Sequence, residues 1–507
     1  MSHRSRAACP RRGVAAVVAA VVSLLLASCG VTVGRGAAPA TSPGSTPSTG
    51  IVGTKVQPPS STTAPTTTTT PPPTNVVVHG DNGSATNKIV ENAIADLTAW
   101  WTTEFPALFH RAYRPISGGF YAIDSTTSPV GIPCAPNDIN QVLDNAYYCP
   151  DDDAIVWDQE KLVPNLANKF GAFTVAVVLA HEWGHSIQRR VGFTAATVIL
   201  EQQADCYAGA WSAHVKTDAN SRFRITTDDL DHALAGFLSL RDAPGSSATD
   251  PNAHGSGFDR VRAFQDGFEK GAVRCSQYRD GDPQPFQFQF SDQNDLNNNG
   301  NLPLERTGPC TATDESGCTI IDLLFPSLDT YWTGEYPKLS GGKKWNPLGP
   351  PKQFAGDNAP DCNGQSGKGY RLFVCIPGRF VAFDATETIP AIYQSGGDFA
   401  VATLIATQYG LDIESQLGTT PTNQVTATLR GDCYAGSYAG SILPTSTPTT
   451  TTGITLSPGD LDEAVAVLLS SRSAADRARQ GPGFDRVRAF GTGVTQGARA
   501  CATVEPS

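Results

Sequence analysis

An internal repeat constrains the fold of this chain more than any other feature of its sequence. The octapeptide GFDRVRAF occurs at 257–264 and again at 483–490, an offset of 226 residues. Identity over eight residues within one chain points to duplication of a whole domain. We therefore predict two tandem copies, over 86–280 and 313–507, joined by a linker at 281–312 that is rich in Gln, Asn, Asp and Gly.

The N-terminus predicts export. Four arginines and no acidic residue precede an apolar run at 14–27, which is too short to span a bilayer but typical of a signal-peptide core. The run ends in Leu-Ala-Ser-Cys, which resembles a bacterial lipoprotein cleavage site; an ordinary signal peptide is the alternative. We expect a signal peptide at 1–28, lipidation of Cys29 that anchors the chain outside the plasma membrane, and a Pro/Thr/Ser-rich tether at 29–85.

Most cysteines occupy corresponding positions in the two predicted copies. Each copy has a close pair and a distant pair at corresponding positions, and another close pair lies near the start of the second copy. In an oxidising compartment disulfides are the simplest interpretation, whereas a zinc site made of cysteines is disfavoured because the chain has no CxxC motif. The predicted disulfides are Cys134–Cys149, Cys206–Cys275, Cys310–Cys318, Cys362–Cys375 and Cys433–Cys501.

Hydrophobic patterning predicts an α+β fold for each copy. The formal net charge of −11 leaves no basic surplus for binding nucleic acid. In the first copy we expect helices near 86–104, 170–191, 196–215, 228–241 and 257–274, with short strands at Gly119–Asp124 and Ala154–Asp158.

The motif His181-Glu182-Trp183-Gly184-His185 lies within the second of these helices. Residues i and i+4 share one helical face, so both imidazoles can bind one metal ion. Glu182 lies one step round the helix, where a carboxylate can take a proton from water that the metal activates.

A catalytic zinc site normally has a third protein ligand. The next predicted helix offers Glu201 and Asp205 one turn apart. Either residue can bind zinc while the other orients a ligating imidazole.

The sequences HEWGHSIQ at 181–188 and EQQADCYAGAW at 201–211 resemble the bacterial family described as putative neutral zinc metallopeptidases. His254-Gly255-Ser256 and Arg260 also resemble elements of that family. The resemblance implies a zincin-like helical domain with a small sheet, Zn²⁺ held by Glu201 as third ligand, and peptide hydrolysis. It also implies that the strand at 154–158 lies beside the active-site helix, where it can pair with an extended peptide substrate.

The second copy serves as an internal comparison. His181, Glu182 and His185 align with Thr407, Gln408 and Leu411. Glu201 aligns with Thr428, whereas Asp205 aligns with Asp432. Loss of the chemical positions predicts one zinc ion, in the first copy only, with a degenerate and metal-free second copy. Because Asp432 persists where no metal can bind, Glu201 is favoured as the ligand and Asp205 as its supporting residue.

His254 is lost together with the ligands, since it aligns with Gln480. It is either a solvated loop residue or a donor to the oxyanion of the transition state. Three functions stay open: a lipid-anchored zinc endopeptidase acting on peptides or proteins, an inactive surface lipoprotein that acts as a binding or scaffold protein, and a zinc-binding or zinc-sensing protein without turnover.

Overall fold

A computed structural model describes residues 76–135, 138–250, 253–311, 313–444, 454–470 and 474–507, together with the backbone of two short strands, β1 (Ile51–Thr54) and β2 (Thr68–Thr69). The predicted signal peptide, Cys29 and most of the predicted tether and of the Thr/Pro-rich segment at 444–452 lie outside the described residues. Among the described residues, no helix is long and apolar enough to cross a bilayer.

The first half of the described chain is mixed α+β, as predicted. The expected helices and both expected strands are present, within a few residues of their predicted bounds. The elements are α1 (Ala85–Phe109), β3 (Gly119–Ile123), β4 (Ala146–Cys149), β5 (Ala154–Asp158), α2 (Leu162–Phe170), α3 (Ala172–Val191), α4 (Thr197–Thr217), β6 (Phe223–Arg224), α5 (Thr227–Ser239) and α6 (Gly257–Cys275).

Two elements near the site were missed. Strand β4 has only four residues and follows a loop rich in Asn and Asp, and helix α2 contains Pro164 in its first turn. Helix α2 ends at Gly171, whose φ of 90° and ψ of 164° separate it from α3. Short elements carry little hydrophobic periodicity, which is why the sequence alone did not reveal them.

The second half repeats the helical order of the first. It also has a small sheet before its central helices. After the short helix α7 (Gln293–Asn297), its elements are α8 (Ile320–Leu339), β7 (Lys352–Phe354), β8 (Leu372–Cys375), β9 (Phe380–Asp384), α9 (Thr388–Gly396), α10 (Asp398–Leu417), α11 (Gln424–Ser441), α12 (Asp460–Leu469), α13 (Ala474–Gln480) and α14 (Gly483–Gln496).

The sheet of the first half corrects one expectation. Its strand order is β3-β5-β4, with β5 parallel to β3 and antiparallel to β4. Strand β5, at 154–158, is therefore paired on both sides and has no edge for a peptide substrate. The edge strands are β3, which His79 bridges at Tyr121, and β4, which the sequence did not reveal and which has no second partner among the described residues.

The sheet of the second half has the corresponding order, β7-β9-β8, with one strand added. Strand β1 pairs antiparallel with β8, so that Ile51 lies opposite Cys375 and Thr54 opposite Leu372. Strand β8 corresponds to β4, since each ends in the second cysteine of a close pair. A segment of the predicted tether thus covers the sheet edge that corresponds to the open edge of the first half.

All five predicted disulfides form. Cys206–Cys275 joins α4 to the end of α6, and Cys433–Cys501 joins α11 to the short 3₁₀ turn after α14. In both halves these helices pack backbone against backbone: an ideal Cβ at Gly209 would lie 1.9 Å from the carbonyl oxygen of Phe264. In each half the disulfide therefore links two helices that are already in close backbone contact.

The two halves cap each other's last long helix. The carboxylate of Asp231 accepts the backbone N–H groups of Gly483 and Phe484, at 2.8 and 2.6 Å. In return, Asp462 accepts the backbone N–H of Phe258 at 2.7 Å. Carboxylates are favourable at helix N-termini, because the first N–H groups have no partner within the helix. The matching DLD tripeptides thus hold the halves together.

Candidate metal centre

Helix α3 carries the motif because its sequence makes it the central buried helix of the half. The run from Phe173 to Ala180 is buried without interruption, and the helix ends at Gly192, which has the left-handed conformation common after helices. Its burial places His181 and Glu182 in a protein-lined site, where each is less than 10% exposed.

Gly184 lets α4 approach this face of α3. An ideal Cβ at position 184 would lie 2.7 Å from Cα of Ala204, closer than non-bonded carbon atoms come. The close approach brings Glu201 within reach of both histidines. The motif glycine thus fixes the distance between the two helices that form the site.

We expect Gly184→Ala to destabilise the protein by about 1–3 kcal/mol, because the added methyl group overpacks the contact between α3 and α4. Gly334→Ala is the matched control. Gly334 also lies inside a helix, but a Cβ there meets no atom within 4 Å. The free energy of unfolding of that variant should rise by up to about 1 kcal/mol, because Ala has a higher helix propensity than Gly. Chemical denaturation of both variants provides the test, and equal effects would refute this account of the motif glycine.

Three potential ligand atoms meet at the site. Nε2 of His181 and Nε2 of His185 lie 3.1 Å apart. The carboxylate oxygens of Glu201 lie 3.3 Å from Nε2 of His181 and 3.4 Å from Nε2 of His185. A tetrahedral zinc ion with bonds of about 2.0–2.1 Å holds its ligand atoms about 3.3 Å apart.

The chemistry of these atoms also suits a cation. Oε2 of Glu201 is buried and has no hydrogen-bond partner. Burial raises the pKa of Glu201, but the neighbouring imidazoles of His185 and His181 lower it by more. The net effect holds the pKa well below its usual range, so the group is an anion. A buried anion without a hydrogen bond is costly unless a cation binds it. The three residues therefore fit a zinc ion.

Asp205 lies behind His181. Its Oδ1 lies 2.6 Å from Nδ1 of His181, and Arg260 donates two hydrogen bonds of 3.0 Å to the same carboxylate. This contact places the proton of the neutral imidazole on Nδ1 and leaves the lone pair of Nε2 for a metal. Burial opposes a charge on His181, but Asp205 raises its pKa to about 10, so a metal ion competes with a proton there.

His185 is oriented by a residue to which sequence analysis assigned no role. Its Nδ1 lies 3.0 Å from Oε1 of Gln188, and Gln188 in turn donates to the carbonyl oxygen of Leu200 at 2.6 Å. Gln188 lies one helical turn after His185, at the last position of HEWGHSIQ. Its place in that motif was the available signal.

Glu182 is held by the edge strand β4. Its Oε2 accepts the backbone N–H of Tyr148 at 2.9 Å. Burial raises the pKa of Glu182, while His181 and His185 act in the opposite direction. A raised pKa suits a carboxylate that must both accept and release a proton near neutral pH. The contact of Tyr148 with Glu182 could not be predicted, because nothing in the sequence places β4 beside α3.

His254 lies in the loop before α6, and more than half of its side chain is exposed. Asp242, also missed from the sequence, accepts the backbone N–H groups of His254 and Gly255, each at 2.9 Å. Contact with Asp242 raises the pKa of the imidazole. The charge of His254 in turn lowers the pKa of Glu201, so the two side chains lie within electrostatic reach of each other.

The second half has the buried Asp–Arg pair of the first half but lacks the three metal-ligand residues. Arg486 donates two hydrogen bonds to Asp432, at 2.6 and 2.8 Å, as Arg260 does to Asp205. Oγ1 of Thr407 occupies the imidazole's place on Asp432, at 2.9 Å.

Comparison with known proteins connects this site to a family. Residues 58–278 match the family described as "Putative neutral zinc metallopeptidase". The match covers the whole site, and the description of the family names zinc.

Two curated relatives show similarity over part of the chain. "Uncharacterized protein Rv2575" of Mycobacterium tuberculosis is 27% identical over 151 residues, which cover 25% of this chain and 52% of that protein. "Uncharacterized protein YpfJ" of Escherichia coli K12 is 27% identical over 164 residues, which cover 27% and 55%. The chain thus spans about half the length of these relatives. No solved structure matches it.

Proposed function

We propose, from the match of residues 58–278 to the zinc metallopeptidase family, that the first half is a zinc-dependent endopeptidase. One observation carries the proposal: His181, His185 and Glu201 direct three ligand atoms to one point beside the buried carboxylate of Glu182. A protein that only binds zinc has no need of such a base. Its presence favours turnover over zinc sensing or a purely structural role.

Zinc held by these residues supplies Lewis acidity, which polarises a carbonyl group and lowers the pKa of water. Glu182 takes the proton of the attacking water and then donates it to the leaving amine. The N–H of Tyr148 fixes Oε2 of Glu182, which leaves Oε1 for the proton. His254, held by Asp242, donates a hydrogen bond to the oxyanion.

The peptide substrate is proposed to add to the sheet at β4. This strand has a partner on one side only among the described residues and lies beside Glu182 through Tyr148. An extended peptide can add to such an edge through main-chain hydrogen bonds. The antiparallel pairing of β1 with β8 supports this geometry, because β8 occupies the corresponding edge of the second half.

The second half is proposed to be a degenerate copy of the peptidase domain that binds no zinc. The shared disulfides, the shared Asp–Arg pairs and the loss of three ligand positions support this assignment. We further propose that lipid on Cys29 anchors the chain outside the plasma membrane. Both proposals extend the expectations drawn from the sequence.

We expect removal of zinc by 1,10-phenanthroline to abolish cleavage of a library of unstructured peptides by the full-length protein. Addition of Zn²⁺ should restore it, since the Lewis acid is required for hydrolysis. 1,7-Phenanthroline, an isomer whose nitrogen atoms cannot chelate one metal ion, is the control and should leave cleavage intact. Cleavage that survives complete zinc removal, or none by the fully zinc-loaded protein, would overturn the proposed function.

A further inference from the structure

A second cluster of potential metal ligands lies in the second half, away from the zinc site. One carboxylate oxygen from each of Asp398, Asp460 and Glu463 lies within 4.8 Å of the others. Asp398 begins helix α10, and the other two lie in the first turn of α12. Asp398 and Asp460 are more than 90% buried.

The cluster contains carboxyl groups only, and none of the ion pairs among the described residues joins one of them to Lys or Arg. Asp295, in the segment that connects the halves, adds its charge to those of Asp398 and Asp460. Burial raises the pKa of Asp398 to about 7, and burial together with the charge of Asp398 raises that of Glu463 to about 9. Ionising this cluster in the absence of a cation is therefore costly.

One oxygen in the cluster has no partner at all. Oδ2 of Asp398 accepts the backbone N–H of Leu302 at 2.9 Å, but its Oδ1 is buried and makes no hydrogen bond. Glu463 is pressed against the turn before α10. An ideal Cβ at Gly397 would lie 1.9 Å from its Oε1. Only glycine therefore fits at position 397, and the space beside it holds a carboxylate.

We propose that Asp398, Asp460 and Glu463, with Asp295 beside them, bind a calcium ion. Oxygen-only ligands with several carboxylates favour hard cations over zinc, and Ca²⁺ accepts the irregular coordination that loop and helix-end ligands provide. The site joins the connecting segment to two helices of the second half. Calcium would thereby fix the connection between the halves.

The first half is an internal comparison for this site as well. Ala172 begins α3 where Asp398 begins α10, and His232 follows the DLD tripeptide where Glu463 does. The cation ligands are thus absent from the half that carries the zinc site. Asp460 alone has a counterpart, Asp229, which caps its own helix through Thr226. Oδ2 of Asp460 accepts the backbone N–H of Ser457 at 2.8 Å, and Oε2 of Glu463 accepts the backbone N–H of Phe399, in the first turn of α10, at 2.9 Å. Neither contact accounts for the buried Oδ1 of Asp398, which makes no hydrogen bond.

The test is thermal unfolding of the full-length, zinc-loaded protein near neutral pH, with and without about 2 mM Ca²⁺. This concentration exceeds the usual dissociation constants of extracellular calcium modules. We expect Ca²⁺ to raise Tm by about 5 °C. Asp398→Asn and Glu463→Gln should abolish most of this shift. In calcium-free buffer both variants should be about as stable as the wild type, because an uncharged amide replaces a carboxyl group that is costly to ionise in this cluster.

Asp329→Asn is the matched control, since Asp329 is a partly buried carboxyl group outside the cluster, hydrogen-bonded to Tyr409 at 3.0 Å. It should keep the full calcium shift. Equilibrium dialysis with Ca²⁺ alone should give one ion per wild-type chain and none for Asp398→Asn. An unchanged wild-type Tm with Ca²⁺, or an equal shift in Asp398→Asn and Glu463→Gln, would overturn the proposal. Peptide cleavage is not part of this readout, so the outcome is independent of the proposed peptidase activity.

Discussion

Replacing Glu182 by Gln is expected to lower the kcat of peptide hydrolysis by about 10²- to 10⁴-fold. The amide cannot accept the proton of the attacking water, yet it fills the same buried space and can still accept the N–H of Tyr148. The His181, His185 and Glu201 cluster is left intact. The measurement is the initial rate of peptide cleavage by the zinc-loaded variant.

Two controls make this result specific. Zinc content and Tm of Glu182→Gln should match those of the wild type, since no ligand is altered. The corresponding residue of the second half is already glutamine, Gln408, and it is buried in a well-packed helix, which indicates that this position tolerates the amide. A variant that retains activity within about tenfold of the wild type would remove Glu182 from the proposed mechanism.

Replacing Glu201 by Ala is expected to release the zinc ion, because the site then has only two imidazole ligands. Asp205→Asn should instead retain zinc with an affinity lowered by about 10- to 100-fold, the usual cost of losing a residue that orients a ligand. Zinc titration against a competing chelator distinguishes the two variants. Equal loss of zinc from both would show that the assignment of ligand and supporting residue is wrong.

Asp432→Asn is the matched control for Asp205→Asn. Both aspartates are fully buried and paired with an arginine, Arg260 or Arg486, so both variants should destabilise the protein by several kcal/mol. Only Asp205→Asn should change zinc affinity. A loss of zinc from Asp432→Asn would indicate that general destabilisation, rather than the contact to His181, accounts for the effect.

Much of the site follows from local sequence. The spacing of His181 and His185 fixes both imidazoles on one helical face whatever surrounds the helix. The comparison of Glu201 with Thr428 and of Asp205 with Asp432 predicts that Glu201 is the ligand and Asp205 the supporting residue. The structure places all four first-half residues together as this reasoning implies.

The groups that support these residues come from distant parts of the chain and escaped prediction. Tyr148 reaches Glu182 through a backbone N–H, so the identity of its side chain carries no signal. Asp242, in the loop after α5, accepts the backbone N–H of His254 and so holds the His254 loop. The expectation that the strand at 154–158 pairs with substrate was wrong, because strand order depends on pairing partners that periodicity does not specify.

By itself the sequence determined the α+β class, the five disulfide pairs and the residues that can hold a metal, since these depend on helical period, matched spacing and ligand chemistry. Tertiary structure alone decided which strand has a free edge and how the halves meet. The DLD tripeptides show the difference. Their repetition is visible in the sequence, but the capping of Phe484 by Asp231 and of Phe258 by Asp462 joins residues more than 200 positions apart. Such contacts arise only when the two folded halves pack together, because no local preference encodes the N-terminus of a helix in the other half.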